Sequence, residues 1–371
     1  MSKNIHLKES ISSKYFKKNL YKKDKIKLNG IVNNIFNLLD SKKDALHPLS
    51  KKFNLNYKNS KLVKFNKYEY VVLIGMGGSI LGAKAIHSFF KTEIKKKFIF
   101  LDNLDQLKIE EIKKKINLKK SLFIIISKSG NTIETLINSN LFQGAINNKN
   151  TIIITEKKIS PLNNFAEKKN IYHIYHKNYI GGRYSVLSEV GMIPAYFMGL
   201  KINYFRKNLK DFFKSKERRF ILDNIIKLGH IYRYKKINSI ILLNYAPEIN
   251  EFLYWLQQLL AESLGKKGKG ILPIVSTAPR DHHSLLQLFM DGPKDKLFYI
   301  FSSKINKKMK ISKKIFENSL SYIKNKNFSK IKEAQKNALI EILKKKNIPF
   351  QEIVINKKNA ETLGELFSYF I

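Results

Sequence analysis

Residues 68–90 read YEYVVLIGMGGSILGAKAIHSFF. An apolar run, Tyr70 to Ile74, opens into Gly75-Met76-Gly77-Gly78-Ser79 and then into a stretch with apolar residues at helical spacing. A short continuous apolar run suits a strand buried on both faces, and a glycine-rich turn into a helix is how parallel α/β layers are connected. Working outward, the same pattern repeats. Short strands are expected in KKFIFLD (96–102), SLFIIIS (121–127), TIIIT (151–155) and IYHIYH (171–176), with helices between them, one behind Thr132 and one opened by Ser160-Pro161. A second series follows. INSIILLN, ILPIVST, KLFYIFSS and IPFQEIVI read as strands, alternating with EINEFLYWLQQLLAESLG, SLLQLFMDG and FSKIKEAQKNALIEILKKK as helices, and AETLGELFSYFI closes the chain as a last helix. The reading is an α/β fold of two parallel-sheet subdomains, 65–215 and 216–371. They stand behind a basic, helical N-terminal segment, 1–64, whose amphipathic stretch is IVNNIFNLLD.

Composition sets limits on the function. The chain has 371 residues and no cysteine, so disulfides and cysteine-ligated zinc are excluded. The start MSKNIHLKES has no apolar signal core, and no apolar run reaches the roughly 18 residues of a spanning helix. The expectation is a soluble cytoplasmic protein with no membrane partner. Lys and Arg number 70 against 29 acidic residues, a formal net charge of +41. The lysines are dispersed in pairs and triplets rather than gathered with aromatics, which argues against a specific nucleic-acid partner. A positive field of this size still steers anionic metabolites.

Ligands of open α/β sheets gather beyond the C-terminal ends of the strands. Two polar loops fall there. One is Gly75–Ser79, where Gly78 lets backbone approach closely and Ser79 stands near a helix start that attracts anions. The other is ISKSGNTIET, Ile126–Thr135, which offers Ser127, Ser129 and Thr132 as hydroxyl donors in addition to its N–H groups. A phosphate dianion accepts many such bonds. Lys128 contributes either its ammonium or only its backbone N–H, and Glu134 lies on the first helical turn, where it also suits the helix dipole. IGGRYSVLSEVG places Arg183 behind Gly181-Gly182, as an oxyanion partner or in a structural ion pair. Glu262 in QQLLAESLGK is a candidate general base, or a surface carboxylate paired with Lys266 at i+4. TAPRDHHSLLQLFMDGP brings Arg280, Asp281, His282 and His283 to a helix start, where Asp281 can cap and one histidine can exchange protons near neutral pH.

Taken together, GMGGSILG, SKSGNTIET, GGRYSVLSEVG, QQLLAESLGK and APRDHHSLLQLFMDGP resemble, in order, the signature stretches of the glucose-6-phosphate isomerase family. The resemblance implies two flavodoxin-like, three-layer sugar-isomerase subdomains in a homodimer. It implies interconversion of glucose 6-phosphate and fructose 6-phosphate without cofactor or metal. It implies Glu262, Arg183 and His283 as catalytic residues, His283 coming from the partner subunit. Gly78, Ser79, Ser127, Lys128, Ser129, Thr132, Glu134, Gly182 and Gln258 would bind the hexose 6-phosphate. One family stretch, similar to QxGVExGK, has no counterpart within residues 1–371: either the sequence is a truncated one or this protein lacks the lysine that helps open the ring, and both readings stay open. A non-catalytic phosphosugar sensor is the alternative. It needs the phosphate loop but not Glu262, Arg183 and His283.

Overall fold

The structure, a computed structural model, describes residues 4–11, 18–39, 44–207, 209, 215–234, 237–304, 309–311, 321–323 and 326–371. Among the described residues two five-stranded sheets form, in the orders β3-β2-β4-β5-β6 and β1-β10-β9-β7-β8. The first holds β2 (Tyr70–Gly75), β3 (Lys97–Leu101), β4 (Ser121–Ile126), β5 (Thr151–Glu156) and β6 (Tyr172–His176), all parallel. Alternate residues explain the layers. Val71, Leu73, Leu122, Ile124 and Ile126 point to one face, against Ala83, Val190, Ile193 and Phe197. Val72, Ile74, Phe123 and Ile125 point to the other, against Ile109, Ile112, Phe142 and Leu162. Each fully buried Ile, Leu or Val contributes about 1.5–3 kcal/mol, so the continuous apolar runs are what a sheet covered on both faces requires.

The second sheet holds β1 (Ile5–Ser10), β7 (Ser239–Asn244), β8 (Leu272–Thr277), β9 (Lys296–Ser303) and β10 (Phe350–Ile355). Here Ile241, Leu243, Phe298, Ile300 and Phe350 pack on Leu339, Ile340 and Leu343 of the helix Phe328–Lys345. Its edge differs from the sequence reading. Residues 5–10, taken as part of a helical segment, are a strand antiparallel to β10. Ile5 and Leu7 are its buried side chains, a period-two pattern over too few residues to stand out in a lysine-rich stretch. The amphipathic stretch does form a helix, longer than expected, at Lys18–Leu39; the side chain of Phe36 and all of Asp40 lie outside the described residues.

The chain forms two compact units that are not contiguous in sequence. The first sheet's unit takes residues 32–211 together with 248–262 and 363–371, and the second sheet's unit takes the remainder. Most of the helix Asn250–Leu264 therefore belongs with the first sheet. There its Phe252 and Trp255 rings lie 5.4 and 4.7 Å from the ring of Phe367 in the helix Ala360–Phe370. Among the described residues no helix is long and apolar enough to cross a membrane.

Candidate active site

The site in the first unit begins with backbone packed on backbone. Gly77–Ser79 form a single 3₁₀ turn after β2, and Gly182–Leu187 form a longer 3₁₀ segment. A Cβ on Gly78 would lie 2.2 Å from the carbonyl carbon of Gly182 and 2.7 Å from the amide nitrogen of Arg183. Ser185 Oγ lies within donating distance of the Gly182 carbonyl of its own turn (2.7 Å) and, across this contact, of the Gly78 carbonyl (3.3 Å). Gly82 and Gly191 press on Val186 from two helices, where Cβ atoms would approach to 2.6 and 2.0 Å. The half-buried Arg206 donates to the carbonyls of Leu187 (2.8 Å), Pro48 and Ser50, and desolvation lowers its pKa to about 10. The turn carrying Arg183 is thus held from several sides.

From that turn the Arg183 guanidinium reaches Glu262, with Nη1 to Oε2 at 3.2 Å. It also stacks over the Tyr184 ring at 4.6 Å. Burial opposes its charge, but Tyr184 and Glu262 outweigh burial and push its pKa further up. Gln258, one helical turn before Glu262, donates from Nε2 to Oε1 at 2.6 Å. Its own Oε1 is buried with no hydrogen-bond partner among the described residues. Gly77, at φ +51°, leaves room for this amide, since a Cβ there would lie 2.7 Å from Gln258 Nε2. Glu262 pairs with Arg183 rather than with Lys266, so the i+4 surface pair is not what forms.

The loop after β4 is the second part. Ser127 is buried, and its Oγ lies 2.9 Å from Thr132 Oγ1 and accepts from the Gly130 amide at 3.1 Å. Ser129 Oγ accepts from the Asn131 amide at 3.2 Å. Gly130 has φ +69°, and a Cβ there would meet Ser160 Oγ at 2.1 Å. Thr132 stands at the N-cap of the helix Ile133–Asn140 without capping it through its side chain, so its hydroxyl serves the loop. Glu134 sits on that helix's first turn. The Lys128 ammonium turns to the Asn178 carbonyl (2.8 Å) and to Glu156 (3.4 Å).

The histidine motif lies in the second unit. His283 is exposed on the short helix Asp281–Ser284. His282 meets the Tyr245 hydroxyl at 2.6 Å, and burial, then His283, lowers its pKa. Asp281 does not cap this helix through its side chain. It is buried and accepts from Ser276 Oγ (2.9 Å), the Thr277 amide (2.8 Å) and Arg280 Nε (2.9 Å). Burial alone would raise its pKa, but these donors outweigh it and hold the carboxyl below the usual aspartate range. The ionised form therefore contributes stability above about pH 4, and that contribution is lost as pH falls through the folded value. Asp281→Asn keeps one acceptor oxygen, so its NH2 must face a donor, either the Thr277 N–H or Arg280 Nε. It is expected to cost about 1–3 kcal/mol at pH 7 and less at pH 3, as thermal melts at the two pH values would show. An equal cost at both would mean the carboxylate charge is irrelevant.

Sequence reasoning passed over Tyr184, although it adjoins Arg183. It also passed over Lys84, which bridges Asp102 (2.8 Å) and Glu251 (3.1 Å) beside the open groove along the helix Asn250–Leu264. A lysine inside AKAIH, on an otherwise apolar helix start, was the available signal.

Parallel strands that end in a hydroxyl-rich loop and in a glycine-packed arginine with its carboxylate define a class of α/β protein with an anion-accepting site at its strand ends. Comparison with known proteins narrows this. The sequence profile of the phosphoglucose isomerase family matches residues 40–370, and the chain belongs to that family. It is 35% identical over 317 residues to glucose-6-phosphate isomerase of Methanocaldococcus jannaschii, covering 82% of this chain and 77% of the relative. To the enzyme of that name from Campylobacter jejuni it is 33% identical over 346 residues, covering 87% and 83%. Among solved structures, a hypothetical protein from Thermus thermophilus superposes with a TM-score of 0.83 at 22% identity, covering 98% of this chain and 92% of that one. A glucose-6-phosphate isomerase from Chlamydia trachomatis gives 0.68 at 20% identity, covering 84% and 65%. These two likenesses concern the fold alone.

Proposed function

We propose that the strand-end cluster of the first unit is the catalytic centre of a glucose-6-phosphate isomerase. The chain is an aldose–ketose isomerase by family; the roles of the individual residues are the proposal. The observation that carries it is the contact of Glu262 with Arg183 at 3.2 Å and with Gln258 at 2.6 Å, beside the Gly77-Gly78 turn. Aldose–ketose exchange needs a base next to carbon and a positive group next to oxygen, and this pair supplies both. Glu262 takes the proton from C2 and returns it to C1, while the hydroxyl proton passes from O2 to O1. The reaction balances within the sugar. Arg183 stabilises the negative oxygens of the intervening cis-enediolate, stabilisation of the oxyanion-hole kind. The buried Oε1 of Gln258 accepts from a sugar hydroxyl, with Ser79 and Glu134 also near the sugar and Gly78 and Gly182 allowing close backbone approach. Ser127, Ser129, Thr132 and the Lys128 amide hold the phosphate.

The same proposal includes a homodimer in which His283 assists ring opening on the partner's sugar. A monomer by light scattering, fully active, would remove His283 from the mechanism. The non-catalytic sensor is not favoured, because a sensor has no use for the Arg183–Glu262 pair.

The direct test is turnover of fructose 6-phosphate by the 371-residue chain, with glucose 6-phosphate detected through a coupled dehydrogenase. The loop is tested separately. A hydrogen bond to a charged group is worth about 1.5–3 kcal/mol, so Ser129→Ala and Thr132→Ala should each weaken fructose 6-phosphate binding roughly ten- to a hundredfold. Calorimetry showing wild-type affinity in both would displace the phosphate from this loop.

A further inference from the structure

The two sheets share an arrangement in which one stretch of the second unit corresponds to the phosphate loop of the first. Taken in strand order, β3-β2-β4-β5 corresponds to β8-β7-β9-β10. In the first sheet the last β2–β4 pair is Gly75 with Ile126. In the second the last β7–β9 pair is Asn244 with Phe301. Ile126 and Phe301 therefore occupy equivalent places, and Ser302-Ser303-Lys304 is the counterpart of Ser127-Lys128-Ser129. Among the described residues, the next α-helix of the same unit is Ile133–Asn140 after the first stretch and Phe328–Lys345 after the second.

A cavity of about 360 Å³ opens at that place in the second unit. Ser302 and Lys304 line it from the strand end, Ser329, Lys332 and Lys336 from the helix, and Lys8 from the edge strand. Lys336 is buried; it pairs with the buried Glu352, and its Nζ lies 3.4 Å from Ser302 Oγ. Lys8 adds a second cation 3.9 Å from the same carboxylate. Against the four lysines of the lining stand two carboxylates, Glu333 and Glu352, so the cavity keeps an excess of positive charge. His6, also in the lining, reports this. Its pKa is lowered first by burial and then by Lys8 and Lys304.

We propose that the second unit holds its own binding site for a phosphorylated polyol or sugar, separate from the catalytic centre. Hydroxyls and lysines at a strand end receive the phosphate, with charge-assisted bonds supplying the affinity. The two carboxylates accept from ligand hydroxyls, which favours a polyol phosphate over a polycarboxylate. A volume of about 360 Å³ suits one small molecule.

The probe is D-glucitol 6-phosphate, which has no carbonyl to isomerise, with inorganic phosphate alongside to separate the phosphate group from the polyol. The reporter is the His6 imidazole signal in NMR spectra of the full chain, assigned by its loss in His6→Phe. A bound phosphate should shift it saturably and raise its pKa. The response should persist in Ser129→Ala/Thr132→Ala and vanish in Lys304→Glu/Lys332→Glu, whose side chains are not fully buried. Should charge reversal alter the melting curve, Lys304→Gln/Lys332→Gln takes its place. Glucitol 6-phosphate saturating at lower concentration than phosphate would support the polyol contacts, and equal saturation would overturn them. A His6 signal that does not move, that moves equally with chloride at matched ionic strength, or that responds undiminished in the lysine variants would overturn the site.

Discussion

Glu262→Gln is expected to lower kcat for fructose 6-phosphate by roughly 10²- to 10⁴-fold, the usual worth of a placed general base, with KM changed little. The geometry explains why the loss should fall on kcat. Glutamine is isosteric: its carbonyl oxygen still accepts from Arg183 Nη1, which now reaches Glu262 at 3.2 Å, and its amide is accommodated by a flip of Gln258 that turns Oε1 in place of Nε2 towards it. The phosphate loop, which supplies most of the ground-state binding, is untouched. What disappears is the carboxylate that takes up and returns the proton. That carboxylate is 47% exposed, so its replacement should move stability by no more than about 0.5 kcal/mol, as for most surface positions. Lost turnover with an unchanged melting curve is the expected pair of results. Unchanged turnover would end the assignment of Glu262 as the base, and a rise in KM alone would make it a binding residue.

Much of this arrangement is legible in the sequence, for a physical reason. Strands buried on both faces must be continuous apolar runs, so SLFIII and SIILLN declare themselves, and the polar residues that follow them mark the strand ends. The loop chemistry is local too: Ser127, Thr132 and Gly130 meet within one turn of chain, so their joint role follows from spacing. What the sequence hides is direction and long-range partnership. Nothing local tells whether the Lys128 ammonium faces the loop or turns to Glu156 and Asn178. Nothing in HHS tells that His282 takes the Tyr245 hydroxyl while His283 is exposed. Glu262 is 79 residues from Arg183, and it meets Arg183 because the helix Asn250–Leu264 packs with the first sheet although it follows a strand of the second. The family resemblance named both residues for one site without pairing them; the packing of Phe252 and Trp255 on Phe367 gives their meeting a physical cause.

The same long-range packing makes a single methyl group costly at Gly78. Gly78→Ala would set a Cβ 2.2 Å from the carbonyl carbon of Gly182, 2.3 Å from its oxygen and 2.7 Å from the Arg183 amide nitrogen. All three are backbone atoms, so no rotamer change relieves the clash and one of the two turns must move. Overpacking of this kind costs about 1–3 kcal/mol, visible as a lower melting temperature. The activity should fall further than the stability. Arg183 rides on the displaced turn, and a shift of about 1 Å in a positioning group is enough for a hundredfold loss in rate. Gly229→Ala is the matched control. That glycine lies in the helix Ser215–Tyr234 with nothing within 4 Å of the added carbon. There alanine should stabilise by about 0.5–1 kcal/mol and leave turnover as it was. Measured side by side, Gly78→Ala should lose roughly a hundredfold or more in kcat/KM at a temperature where it remains folded. Retained activity in that folded variant would mean that the Gly78–Gly182 contact does not set the position of Arg183.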